Sequence, residues 1–124
     1  MTAPLWVAFI FAAGVGATAR FTVDTVIADR VHGVFPWGTF VINVSGSLLL
    51  GILTGLALYH GLSLNPRLVF GTGSCGAFTT FSTFTFETIR LAEERAASEA
   101  VLNVGATVLC AAAAAGLGIA IAAL

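Results

Sequence analysis

Three observations predict an all-α membrane protein of four transmembrane helices, the third of them broken mid-membrane. The first is composition: 58% of the 124 residues are hydrophobic and 9% charged, with a mean hydropathy of +1.01, where soluble domains carry about a quarter charged residues. The second is the placement of the eleven formal charges, at 20, 24, 29 and 30, then at 67 alone, then between 87 and 99. Four uncharged stretches remain, each long enough for the roughly 20 apolar residues that cross a bilayer core. The third is the segment GTGSCGAFTTFSTFTFE, Gly71 to Glu87, uncharged before its last residue yet crowded with glycine, serine and threonine. The spans fall at about 5–27, 38–59, 67–90 and 99–124, a single membrane domain that leaves no room for a soluble one.

The same composition excludes other classes. A formal net charge of −1 with no lysine argues against nucleic acid or a polybasic membrane-surface role. Cys75 and Cys110 fall inside spans and read as small hydrophobes rather than a disulfide. No nucleophile–base pair or metal-ligand cluster lies in reach, so the chain is not expected to be an enzyme. The opening MTAPLW lacks a basic n-region, so the first apolar stretch reads as a retained helix.

Span one ends in GVGATARFTVD, with Arg20 near the level where the apolar run stops; by position alone it is a snorkelling interfacial arginine. The link ADRVHGVFPWG carries helix-breaking Asp, Gly and Pro, and its Trp37 suits the membrane–water interface. In span two, Thr39, Asn43, Ser47, Gly51 and Gly55 recur every four residues. Each step of four turns the direction by about 40°, so they form a slowly spiralling band of small and polar groups. Close helix packing explains Ser47, Gly51 and Gly55. It does not explain Asn43, whose amide needs a partner in lipid and is either interhelical glue or part of a polar pathway. Span four has a polar pair one turn apart, Asn103 and Thr107, followed by Ala111 and Ala115 on the same drifting face. Between spans three and four, ETIRLAEERAASE reads as a solvated helix end and loop.

Span three raises the functional question. Non-helical backbone at membrane depth is tolerated only where it is buried in protein or lines a polar cavity. Gly73 and Gly76 permit unusual dihedrals, and Thr79, Thr80, Ser82 and Thr83 can bond the backbone groups a break releases. Freed carbonyls suit a cation; freed N–H groups and hydroxyls suit an anion. A tight crossing of small residues would use the same residue types. Phe81 and Phe84, three apart, share a helix face, and their positive ring edges attract anions weakly, although membrane phenylalanines commonly serve packing. With no Asp, Glu or Lys in a span interior, any pathway works through amides, hydroxyls, ring edges and backbone.

The motifs GATAR, WGTFVINVSG and GAFTTFSTFTFE, one in each of the first three spans, resemble those of the Fluc fluoride channels, also called the CrcB family. The last is close to that family's Gly-Gly-x-Thr-Thr-Phe-Ser-Thr-Phe signature and highly specific, with Ala77 where a second glycine is usual. The resemblance implies a dual-topology antiparallel dimer of four-helix subunits, with two fluoride pores along the interface and passive efflux of fluoride across the cell inner (plasma) membrane. It places Asn43 and Thr39 on the pore-lining side of span two and matches Phe81 and Phe84 to rings whose edges face fluoride. Thr80 and Ser82 follow the break along the pore, and Thr107 and Asn103 flank it, Asn103 being smaller than the family's usual side chain there. Arg20 matches a vestibule arginine. Backbone carbonyls of Gly76 and Thr79, from each subunit, are implied to hold a central structural sodium ion.

The expected partners are therefore fluoride, the lipid bilayer and a second copy in inverted orientation, or a paralogue. Insertion both ways requires a small Arg/Lys bias between the two sides: one side holds Arg30, Arg90 and Arg95, with Arg20 at its edge, the other Arg67. The rival readings are a small four-helix proton-coupled exporter and a non-transporting packing subunit. The exporter needs a buried carboxylate in the first span, where the first acid, Asp24, comes only after Arg20.

Overall fold

The computed structural model describes residues 2–124, and every regular element among them is a helix. Three are long and apolar enough to cross a membrane by length and composition: α1 (Ala3–Arg30), α2 (Trp37–Tyr59) and the C-terminal Ala97–Ala122. At 1.5 Å per residue they are about 42, 35 and 39 Å long, more than the roughly 30 Å of a hydrocarbon core. Pro4 lies in the first turn of α1, where a missing N–H is harmless. Gly33 (φ 147°) and Gly61 (φ 65°) turn the two links that flank α2, conformations that suit a residue without Cβ.

Between α2 and the last helix the chain is helical in two pieces, α3 (64–78) and α4 (Ser82–Glu93); the last helix is then α5 (Ala97–Ala122). Most of α3 is wide: Arg67–Cys75 is π-helical, a register rare over such a length and frequent at functional sites. The end of α4 is closed by Arg95 in the left-handed region (φ 62°), with the Ala96 N–H bonded to the Leu91 carbonyl at 2.8 Å, a 6→1 closure.

The largest interface joins α2 and α5. Gly51 meets Ala115, Gly55 meets Ile119 and Ala122, and Gly118 sits against Leu48 and Ile52. The numbers rise together, so the two helices run parallel. A Cβ at Gly51 or Gly118 would strike the partner's backbone, which makes glycine the condition for this approach. α1 packs on α3 in the same manner, Gly16 against the Ser74 carbonyl and Gly73 against Phe9. The outside is apolar: Phe11, Val101 and Leu109 are each more than 70% exposed, as expected where lipid is the solvent.

The structure corrects three expectations. Gly73 and Gly76 do not supply unusual dihedrals; Gly76 is helical at φ −64°, ψ −36°, and neither appears among the glycines of positive φ. Gly73 serves close packing instead. α1 continues past 27 to Arg30, so Ala28, Asp29 and Arg30, read as the start of the link, are helical. The segment from Glu87 to Glu93 is the expected helix end, but it is not wholly solvated: Leu91 is buried and Glu87 half-buried on its inner face.

Candidate functional site

The helix breaks over three residues. Thr79 is extended (φ −72°, ψ 159°), Thr80 and Phe81 are non-helical, and α4 resumes at Ser82. Such a break strands backbone groups that lipid cannot satisfy. One side chain on the neighbouring helix repairs its centre: Oδ1 of Asn43 accepts the Thr80 N–H at 2.8 Å, and Nδ2 of Asn43 donates to the Thr80 carbonyl at 2.9 Å. The amide thus stands in for a neighbouring peptide. Because it accepts on one end and donates on the other, its orientation is locked, and one Nδ2 hydrogen remains uncommitted. Local hydroxyls extend the repair. Thr80 Oγ1 accepts the Thr83 N–H at 3.2 Å and lies 3.0 Å from Thr83 Oγ1, satisfying a first-turn donor of α4 from the residue before its N-cap, Phe81. The Thr79 N–H and hydroxyl both donate to the Cys75 carbonyl, at 2.9 and 3.0 Å. Gly46, beneath the break, leaves room for the Thr79 methyl and the Phe78 ring.

The repair is partial, and the Gly76 carbonyl is among the groups it leaves over. The N–H four residues beyond Gly76 is that of Thr80, which is engaged by Asn43. The Gly76 carbonyl therefore loses its helical donor, at a residue on the exposed side of α3.

An open groove of about 460 Å³ runs beside the break and gathers Asn43, Gly76, Thr79, Thr80, Phe81, Phe84 and Thr107. Phe81 is 78% exposed and Phe84 only 8%, with ring centroids 6.0 Å apart and planes at 39°. Phe84 is thus a fixed wall and Phe81 projects outward. Of the remaining predicted residues, Arg20 and Thr39 line a neighbouring cleft of about 190 Å³ that shares Thr80 with the groove. Nη1 of Arg20 lies 3.5 Å from the Thr79 carbonyl, a long contact. Ser82 is outside both and reaches them only through Thr80, hydroxyl to hydroxyl at 3.4 Å. Asn103 is also outside the groove. It is fully buried between α4 and α5, donating to the Thr88 hydroxyl at 2.9 Å and accepting from the Thr107 hydroxyl at 3.2 Å.

Two carboxylates were missed by sequence reasoning. Asp24 packs against Gly38. Glu87 is half-buried, one of its carboxylate oxygens buried with no partner among the described residues. Both line a cavity of about 620 Å³ at the α1–α2 link, and Asp24 also lines the Arg20 cleft. The spacing could have found Glu87: Phe84, Glu87 and Leu91 lie at i, i+3 and i+7, one helix face.

The model of the CrcB-like protein family, also described as camphor resistance (CrcB), matches residues 7–119. A fluoride-specific ion channel FluC 1 of Streptomyces avermitilis is 49% identical over 117 residues, which cover 94% of this chain and 90% of that one. Another protein of that name, from Frankia casuarinae, is 45% identical over 125 residues, 94% of this chain and 95% of the relative. A FluC 2 of Cutibacterium acnes is 54% identical over 89 residues, 71% of each chain.

Proposed function

The chain belongs to the CrcB family, and from that premise we propose that it is a fluoride-specific ion channel. It gives passive efflux of fluoride across the cell inner membrane, working as an antiparallel dimer with two pores. The observation that carries this reading is the groove in which the locked Asn43 amide, the hydroxyl-lined break and the Phe81–Phe84 pair converge.

Fluoride is small and strongly hydrated, so a path selective for it must replace water with hydrogen-bond donors while holding the ion weakly enough to release it. Asn43 has a spare N–H at a position its Thr80 bonds hold still. Phe84 is held by burial, so its ring can present a positive edge without rearranging. Thr107 differs in that its hydroxyl proton is committed to Asn103; it shapes the wall and supplies no donor. Arg20, at the adjoining cleft, raises the local anion concentration. The groove is open along one side and Phe81 projects from it, so a second copy is needed to close a passage. Inverted, that copy brings the same groups to the opposite side of the path.

The sodium reading fits the donor set. The Gly76 carbonyl without a helical donor and the extended Thr79 carbonyl are hard oxygen ligands. A carbonyl has two lone pairs, so the long Arg20 contact leaves Thr79 able to coordinate. One subunit offers two oxygens, and the inverted copy would double them. When bound, the ion would supply a fixed positive charge that ties the two breaks together.

The test is fluoride efflux from liposomes carrying the purified protein, read with a fluoride electrode. Flux is expected for the wild-type chain alone. Phe84→Ile and Phe81→Ile, which keep apolar bulk but remove ring edges, are expected to lower it about tenfold, the factor that corresponds to the upper end of the energy of one oriented ring contact. Wild-type flux in both variants would leave the rings as packing only.

A further inference from the structure

We propose that Arg67 and Thr72 form an anion entrance on the side of the break opposite Arg20, feeding the groove through the π-helical turn of α3. This rests on the channel reading above and adds an entry route to it. The first observation is continuity. A small cleft of about 130 Å³, lined by Thr54, Arg67 and Leu68 among others, shares Leu50, Gly71 and Thr72 with the main groove. The two are therefore one furrow, running from the N-terminal end of α3 to the Asn43–Phe81 level.

The second observation is which hydroxyls are uncommitted. Threonine and serine at membrane depth usually bond a carbonyl one turn back, and here Thr18, Thr22, Thr25, Ser45, Thr54, Thr79, Thr85 and Thr88 all do so. Thr72 and Ser47 make no such bond among the described residues, and both line the furrow. Thr72 sits in the π-helical stretch, where the wider register shifts the carbonyl that its hydroxyl would otherwise reach. The wide turn thus keeps a donor available for a ligand.

The third is charge. Arg67 is the only formal charge between Arg30 and Glu87, is exposed, and makes no ion pair among the described residues. A cleft of low-dielectric walls with one unpaired cation focuses anions. From Arg67 an anion meets Thr72, then Ser47, then the spare N–H of Asn43, donor after donor with no carboxylate on the furrow.

The test compares fluoride efflux across a range of fluoride concentrations for wild type, Arg67→Gln, Arg67→Lys, Thr72→Val and Thr72→Ser, each first shown to elute as the wild-type assembly. Arg67→Gln is expected to cut flux about threefold to tenfold at low fluoride, converge with wild type at saturating fluoride, and lose the wild-type sensitivity to added impermeant salt. Arg67→Lys should restore flux, as should Thr72→Ser relative to Thr72→Val. A merely anchoring arginine predicts no such concentration dependence. Low-fluoride flux unchanged in Arg67→Gln, or Arg67→Lys no better than Arg67→Gln, overturns the entrance. Should Arg67→Gln fail to assemble, wild-type flux in Thr72→Val overturns it alone. Absence of flux in the wild-type chain itself is a different result, and it brings down the channel reading with it.

Discussion

Asn43 and Asn103 are both amides at membrane depth, yet the structure uses them in opposite ways. Asn43 bonds backbone: both ends of its amide are on Thr80, at 2.8 and 2.9 Å, where the helix has opened. Asn103 bonds only side chains, the hydroxyls of Thr88 and Thr107, between two helices whose backbones are intact. The difference is one of what is left behind. Removing Asn103 leaves Thr88 still bonded to the Phe84 carbonyl and frees only the Thr107 hydroxyl, which can rotate to a carbonyl one turn away. Removing Asn43 strands a peptide N–H and a carbonyl that have nowhere to turn. The first amide permits a non-helical backbone to exist in lipid; the second joins helices that would exist without it.

The largest effect should therefore come at Asn43. Asn43→Leu leaves two backbone groups unpaired, a cost of about 2–6 kcal/mol at about 1–3 for each, and is expected to abolish both assembly and flux. Asn43→Asp sharpens the point. It keeps the acceptor for the Thr80 N–H but sets a carboxylate oxygen against the Thr80 carbonyl and puts a fixed negative charge in the path. Flux should fall while some assembly survives. Wild-type flux in Asn43→Asp would remove Asn43 from the pathway.

A smaller effect concerns the carbonyl that Asn43 deprives of its donor. Replacing all sodium with a large organic cation is expected to lower flux severalfold and weaken the dimer, since the freed carbonyls of Gly76 and Thr79 would lose their shared ligand. A Cβ at Gly76 meets nothing nearer than the Gly71 carbonyl at 4.0 Å. Gly76→Val should thus fold as a single chain, and any loss of dimer reports on the facing copy. Thr79→Ser, which leaves the backbone ligand in place, should match wild type. Flux indifferent to sodium would count against the site.

The smallest effect should come at Asn103. Asn103→Ala is expected to cost about 1 kcal/mol, the scale of interhelical polar contacts in membranes, and to lower thermal stability of the assembly with flux per folded channel nearly unchanged. A flux loss as large as that of Asn43→Leu would collapse the distinction between the two amides.

Much of this molecule could be read from its residues. The three long apolar helices followed from charge placement, because a bilayer admits few charges and demands a fixed length. Gly51 and Gly55 followed from their four-residue spacing, because only small residues let helices touch. The position of the break followed from the Thr-Ser-Phe run, because that run offers hydroxyls where lipid offers none. The periodicity left open whether Asn43 is glue or pathway, and tertiary structure decided its partner, since a side chain 37 residues from Thr80 reaches it only once α2 and α3 are packed. The π-helical register of α3, the burial of Glu87 and the pairing of Asn103 with Thr88 were likewise decided there. Hydropathy and spacing report what a residue prefers as solvent and which face it shares. Which unpaired group it ends beside depends on how the helices cross, and that is a property of the whole bundle.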